Sequence, residues 1–314
     1  MRELKIAEND AGQRLDRYLE KVFPGASGGF LQKMIRQKKI KVNHKRATAE
    51  AMLDCGDAVQ LYIYDEVLDP LMKKHVAPRS RLRLEYVFEN EHFVVIDKPS
   101  GLLSHPARPE DYGQTVVDAF VADLIARKIY VPRNEKSFVP ALVNRLDRYT
   151  AGLVIGAKTH EAAMVLTQMI REGNLQKDYM AYVEGRVDKA RHIALPLLTE
   201  NGRSRVDDTG KPASTYVTPV HWTPRVSQCD IQLETGRTHQ IRAHLSAIGH
   251  PLIGDGMYGA RQWRSAYPHP LLLAHHLTLN GGSALEIPES FNVYSTQIEA
   301  FQKMWDSLKA KGEQ

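Results

Sequence analysis

The sequence predicts an α+β protein in two parts. A small α/β unit with one basic face comes first, followed by a larger unit on a mixed, largely antiparallel sheet. Three observations carry this. Helix- and strand-type spacing holds over residues 12–63, is lost over 65–84 and then resumes. The strand-like segments beyond residue 84 do not form a repeating βαβ series, so an all-parallel sheet is not expected. The charge is also uneven: the net charge is +5, and residues 1–64 carry twelve Lys/Arg against eight Asp/Glu.

Taken in order, Leu15, Tyr18, Leu19 and Val22 recur at helical spacing, and Pro24-Gly25 ends that helix. Phe30, Leu31, Met34 and Ile35 form the stripe of a second helix, with Lys33, Arg36, Lys38 and Lys39 on its other face. Ile40 and Val42 alternate with Lys39, Lys41 and Asn43, giving a strand that turns at Asn43-His44. Gly56-Asp57 is a second turn and opens the strand Val59–Ile63. Phe30–Arg46 holds seven basic residues and no acid, which suits contact with a phosphate backbone; a merely solvated face is the equal alternative. The order Gly12-Gln13-Arg14-Leu15-Asp16, Met34-Ile35-Arg36, Lys41-Val42-Asn43 and Gly56-Asp57 resembles the S4 RNA-binding domain. That resemblance implies that Lys33, Arg36, Lys38, Lys39 and Lys41 lie on structured RNA.

Residues 1–64 are therefore expected to be one domain and 65–84 a linker, acidic at Asp65–Pro70 and polar at Pro78-Arg79-Ser80-Arg81. Residues 85–314 form the second domain. There, Phe93–Ile96 and Gly152–Gly156 read as buried strands. Val116–Ile125 and Ala162–Ile170 read as helices, the latter closed by Gly173. Tyr179, Ala181 and Val183 alternate with Met180, Tyr182 and Glu184, Ile231 and Leu233 mark a further strand, and Arg237–Ala247 reads as a helix with His239 and Arg242 on one face.

Composition narrows the function. With 43% hydrophobic and 25% charged residues in 314, the chain is an ordinary globular protein without a membrane-length apolar run. Its start, Met1-Arg2-Glu3-Leu4-Lys5, has no signal-peptide core. Cys55 and Cys229 cannot make a disulfide framework, which fits a cytoplasmic protein. No dinucleotide or P-loop glycine motif is present, and the histidine spacings do not suggest a metal site. No cofactor is expected, and neither is a membrane partner.

The string Arg-Leu-Asp-Arg-Tyr occurs twice, at 14–18 and 145–149. In the first copy Asp16 lies in an amphipathic helix and reads as a surface charge paired with nearby bases. In the second, Asp147 lies on a loop between two core strands, flanked by Arg145 and Arg148. Flanking arginines keep a carboxylate ionised, which suits a nucleophile. By spacing alone a structural Asp–Arg pair is the commoner use of such a residue.

Five blocks then resemble the RluA-type RNA pseudouridine synthases, in the order that family has them. They are Asp97–Leu102, Asn144–Gly152, Gln176–Ala181, Thr235–His244, and Gly249–Asp255 with Tyr258-Gly259. The S4-like front and the Gly210-Lys211-Pro212-Ala213 and Leu175–Tyr179 stretches are most similar to the RluC branch. Asn144, Ala151 and Leu273 replace residues usual in the family, and Asn280-Gly281-Gly282 replaces a later His-Pro. The resemblance implies a catalytic set of Asp147, Tyr179 and Arg242, with Asp147 the nucleophile. Tyr179 would pack on the uracil and take its C5 proton; without the motif it reads as a core aromatic. Arg242 would pair with Asp147, and Arg145 and Arg148 would contact RNA. The implied partner is RNA, 23S ribosomal RNA in particular, with the chain acting as a cytoplasmic monomer. Two alternatives stay open from the residues alone: a noncatalytic RNA-binding protein, and a glycoside or nucleoside hydrolase, which would want a second acid beside the scissile bond.

Overall fold

A computed structural model describes residues 1–72, 80–132, 137–261, 263 and 265–312. The front unit packs the helices Leu15–Val22 and Gly28–Arg36 on a four-stranded sheet. In that sheet Ala58–Leu61 pairs antiparallel with both Arg2–Lys5 and Ile40–Val42. The core is the expected one: Leu15, Tyr18, Leu19, Leu31, Met34 and Ile35 are buried together with Ile40, Val59 and Leu61. Ser27 caps the second helix by accepting from the Phe30 N–H.

Several details differ from expectation. The second helix stops at Arg36, and Lys38 takes a left-handed conformation (φ 62°), so Lys38 and Lys39 lie on the turn into the strand and not on the helix. Asp16 is buried, and the Arg14 guanidinium grips it through two hydrogen bonds of 3.1 and 2.7 Å. The supposed linker begins with a helical turn, Asp65–Leu68, and a 3-10 turn, Asp69–Leu71. Leu68 is 1% exposed in the front core, with Leu71 and Met72 against it, so apolar side chains too few to show periodicity still fasten this segment down. Pro78-Arg79 lies outside the described residues.

The second unit is built on a ten-stranded sheet. From one edge the order is Arg191–Ile193, Thr215–Trp222, Val226–Leu233, Leu175–Glu184, Leu272–Asn280, Ala151–Ala157, Phe93–Lys98 and Tyr86–Glu89. Ser290–Tyr294 and Ala141–Leu142 pair off this path. All pairings are antiparallel except that of Ala151–Ala157 with Leu272–Asn280. Leu175–Glu184 is central, and from Tyr179 onward both its faces are buried. Tyr179, Ala181 and Val183 pack with Leu146, Ile241 and Leu245, whereas Met180 and Tyr182 pack with Phe301 of the helix Ile298–Gly312. The two-residue period of a strand thus sends alternate side chains to two different cores. Gly173 (φ 76°) closes the helix His160–Glu172 as expected.

The two units meet at Asp10, which is fully buried. Its carboxylate accepts from the Ser137 N–H at 2.7 Å, the Ser137 hydroxyl at 2.6 Å and the Phe138 N–H at 3.3 Å. Asn9 accepts from the His160 N–H, at the start of a helix of the second unit. Among the described residues no helix is long and apolar enough to cross a membrane.

Candidate active site

Asp147 sits on the loop between Ala141–Leu142 and Ala151–Ala157, as the sequence suggests. A second loop, following the strand Phe93–Lys98, clamps it. Ser104 accepts from the Leu146 N–H and donates to the Leu146 carbonyl. The Gly101 N–H donates to the Arg148 carbonyl at 2.8 Å, and the Ser100 hydroxyl donates to Tyr149 O at 2.9 Å. Lys98 is fully buried, and its ammonium donates to the carbonyls of Pro99, Leu102 and Arg148. Burial pulls its pKa down to about 8 against the opposing charge of Asp147. Gly152 (φ 110°) makes the other close approach: a Cβ there would lie 2.1 Å from the Ala274 carbonyl oxygen. Only glycine lets these two strands pair beside the site.

The arginines flanking Asp147 in sequence are not its partners. Arg148 is exposed and turns its Nε to the Gly101 carbonyl at 3.0 Å, and Arg145 is exposed at the rim. Asp147 faces Arg242 and His239 instead, each 3.5 Å from its Oδ2. Successive loop side chains diverge, so sequence adjacency is a poor guide here. Arg242 is in turn held from behind. Asp255 accepts from its Nε at 2.7 Å and from its second terminal nitrogen at 2.9 Å, and the Tyr258 ring lies 4.9 Å from its guanidinium carbon. The Asp255 and Arg242 side chains are 1% and 10% exposed, and Asp147 keeps 23%. The site therefore contains a doubly bonded, buried ion pair with a freer carboxylate in front of it.

Helical spacing puts His239 on one face with Arg242, but the helix begins only at Gln240, and His239 precedes it in a left-handed conformation (φ 53°). This turns its Nε2 to Asp147 while Nδ1 meets the Tyr258 hydroxyl at 3.1 Å. Burial lowers the His239 pKa, with Asp147 opposing. Tyr258 is locked by accepting from the Ser204 N–H and donating to the Ser204 carbonyl.

Asp147, Tyr179, Arg242 and Arg145 line one cleft of about 790 Å³. Tyr179 is 6% exposed, and burial, then the charge of Asp147, pushes its pKa up, so it is a neutral phenol. Arg148 lines a second cleft. Lys33, Arg36, Lys38 and Lys39 are exposed on the front unit, away from both clefts, and Lys41 lies 5.0 Å from the Tyr62 ring centre. None of these five has an acidic partner among the described residues. Sequence reasoning did not single out Asp255, Tyr258 or Lys98 as functional, although all three stand inside the five motif blocks.

The RNA pseudouridylate synthase family model matches residues 92–247, and the S4 domain model matches residues 13–59. Ribosomal large subunit pseudouridine synthase D of Nitrosomonas europaea is 34% identical over 260 residues, covering 82% of this chain and 72% of that protein. Ribosomal large subunit pseudouridine synthase C of Escherichia coli K12 is 30% identical over 275 residues, covering 82% and 80%. In fold, human RNA pseudouridylate synthase domain containing 1 is similar, with a TM-score of 0.53 at 22% identity, over 71% of this chain and 86% of that one.

Proposed function

The chain belongs to the RNA pseudouridylate synthase family, and on that premise we propose that it isomerises uridines of large-subunit (23S) ribosomal RNA, with Asp147 as nucleophile. One observation carries the assignment of Asp147. Three carboxylates line the larger cleft; Asp178 is bonded to His276 at 2.8 Å and Glu234 accepts from the Ser214 hydroxyl, whereas Asp147 is held only by Arg242 and His239, each at 3.5 Å, a distance too long to consume its lone pairs.

The chemistry breaks the N1–C1′ bond, turns the uracil, forms a C5–C1′ bond and moves a proton from C5 to N1. Atoms and electrons balance within the nucleoside, so neither oxidant nor cofactor is required. The Asp147 carboxylate supplies the attacking oxygen, whether to the ribose carbon or to the uracil ring. Arg242, 3.5 Å away, aims it. A neutral Tyr179 suits packing on the base. For its oxygen to take the C5 proton, the phenol must pass its own proton on, and N1 of the detached uracil, which needs one, is the acceptor; the two transfers together restore the neutral phenol. Arg145, at the rim of both clefts, is placed to contact RNA beside the extruded base. The five front-unit cations supply phosphate contacts that offset the unstacking cost of a few kcal/mol. We read the working unit as a monomer, and a ribosomal RNA substrate implies a cytoplasmic enzyme.

The test is to map pseudouridines in ribosomal and transfer RNA exposed to the wild type and to Asp147→Asn. New pseudouridine in large-subunit RNA, abolished in the variant while RNA affinity holds, is the expected result. Modification of transfer RNA alone contradicts the target, and activity within about fivefold of wild type contradicts the nucleophile.

A further inference from the structure

The larger cleft holds Asp147 and Tyr179, the residues proposed to act on the target uridine. A second cleft of about 580 Å³ shares Arg145, Asp147, His239 and Arg242 with it and extends past Tyr149 and His269. The rings of Tyr149 and His269 are stacked, 3.6 Å between centres and 10° apart in plane. The Arg148 guanidinium carbon lies 5.5 Å from the Tyr149 ring centre. Tyr149 is half-buried, whereas His269 is exposed, and among the described residues its ring makes no hydrogen bond. The stack is thus anchored through Tyr149 and open at His269.

A flat π surface next to two arginines, Arg145 and Arg148, that have no acidic partner among the described residues is what an unstacked base and its phosphate require. Extruding one uridine also strips its neighbour of a stacking partner, and a single phosphodiester unit joins the two. The neighbour therefore has to lie within one nucleotide of Asp147, and the second cleft begins there. We propose that this cleft seats the base of the nucleotide adjacent to the target on the His269–Tyr149 platform, with Arg145 and Arg148 at the intervening phosphate. This rests on the reading of the chain as a pseudouridine synthase acting through Asp147. Every base has a π face, so the platform adds affinity without choosing a sequence.

The test uses the full chain and an RNA hairpin around a uridine that the wild type is seen to modify. Its partner hairpins carry an abasic residue immediately 5′ or 3′ of that uridine. His269→Ala is expected to raise KM about tenfold, the size of one base–aromatic stack, and to change kcat less. On the hairpin abasic at the seated side, wild type and His269→Ala should share the same raised KM, and the other abasic hairpin should keep them apart. His269→Phe should restore the wild-type KM on the intact hairpin, because it keeps the π surface. A KM for His269→Ala within about twofold of wild type overturns the proposal, as does a penalty that survives both abasic substitutions or a Phe variant that fails to rescue. A wild type that forms no pseudouridine in any RNA refutes the proposed function instead, a result that does not involve His269.

Discussion

Asp255→Asn is the most revealing single change near the reaction centre, because Asp255 is buried behind Arg242 and fixes the residue that faces Asp147. Its carboxylate is 1% exposed and makes two bonds, 2.7 and 2.9 Å, to a guanidinium that is itself 10% exposed. Removing one partner of a buried pair costs about 3–5 kcal/mol. The amide keeps one acceptor, so the lower end applies, and about 3 kcal/mol at about 2–4 °C each lowers the melting temperature of a unit this size by about 6–12 °C. The second consequence is kinetic. Arg242 now stands 3.5 Å from Asp147; released from behind, it closes to full hydrogen-bond length on the remaining carboxylate. A charged hydrogen bond of about 1.5–3 kcal/mol made in the ground state must then be broken for attack, which lowers kcat about ten- to a hundredfold. Thermal melts and pseudouridine formation at saturating RNA measure the two effects separately. A melting point within about 2 °C of wild type, together with an unchanged kcat, would refute the idea that Asp255 restrains Arg242.

Three further outcomes are expected. Tyr179→Phe keeps the ring and removes the hydroxyl, so RNA affinity should hold while single-turnover rate falls by about a hundredfold or more; an unchanged rate reduces Tyr179 to packing. Replacing Arg36, Lys38 and Lys41 by Ala should weaken binding to any RNA and flatten the plot of log affinity against log salt by about 0.7–0.9 for each phosphate left without its cation, and an unaltered slope would leave those cations as a solubilising surface. Stability should fall on acidification, since burial lowers the pKa of His105, His239, His244 and His275 below the ordinary 6.5. The folded state resists protons that the unfolded chain accepts, so this stabilisation is complete above pH 6.5 and is lost as pH falls through the folded values. His244 shows the geometry behind this: Nε2 meets the Leu195 carbonyl and Nδ1 the Thr215 hydroxyl, both at 2.9 Å, a pattern that a neutral ring satisfies. Melts from about pH 7.5 to about pH 5 check the slope, which His244→Gln should reduce.

What could be read in advance followed the range of the forces involved. The helices at Leu15–Val22 and His160–Glu172 announce themselves because their burial is periodic along the chain, the strand at Phe93–Lys98 as a continuous apolar run, and the strand at Leu175–Glu184 through the alternation of Tyr179, Ala181 and Val183 with their neighbours. Asp147 was legible from its loop context and its motif. Its surroundings were not. Arg148 is oriented by a carbonyl 47 residues away, and Lys98 binds a carbonyl 50 residues away. Asp255 reaches Arg242 across a loop that has no period. The left-handed turn at His239 was hidden for a related reason: helical spacing on one side of it ran on into the residues before the helix starts. Motif blocks mark such residues as a group without dividing the work among them.

The docking through Asp10 changes what a truncated enzyme would mean. Cutting away the front unit to learn what it contributes to RNA affinity would also strip three donors on Ser137 and Phe138 of their acceptor, in or near a buried segment that leads into the Asp147 loop. A shortened chain that loses activity would therefore report a loosened catalytic scaffold as readily as a weakened grip on the substrate. Point changes on the exposed cations leave Asp10 in place and keep the two contributions apart.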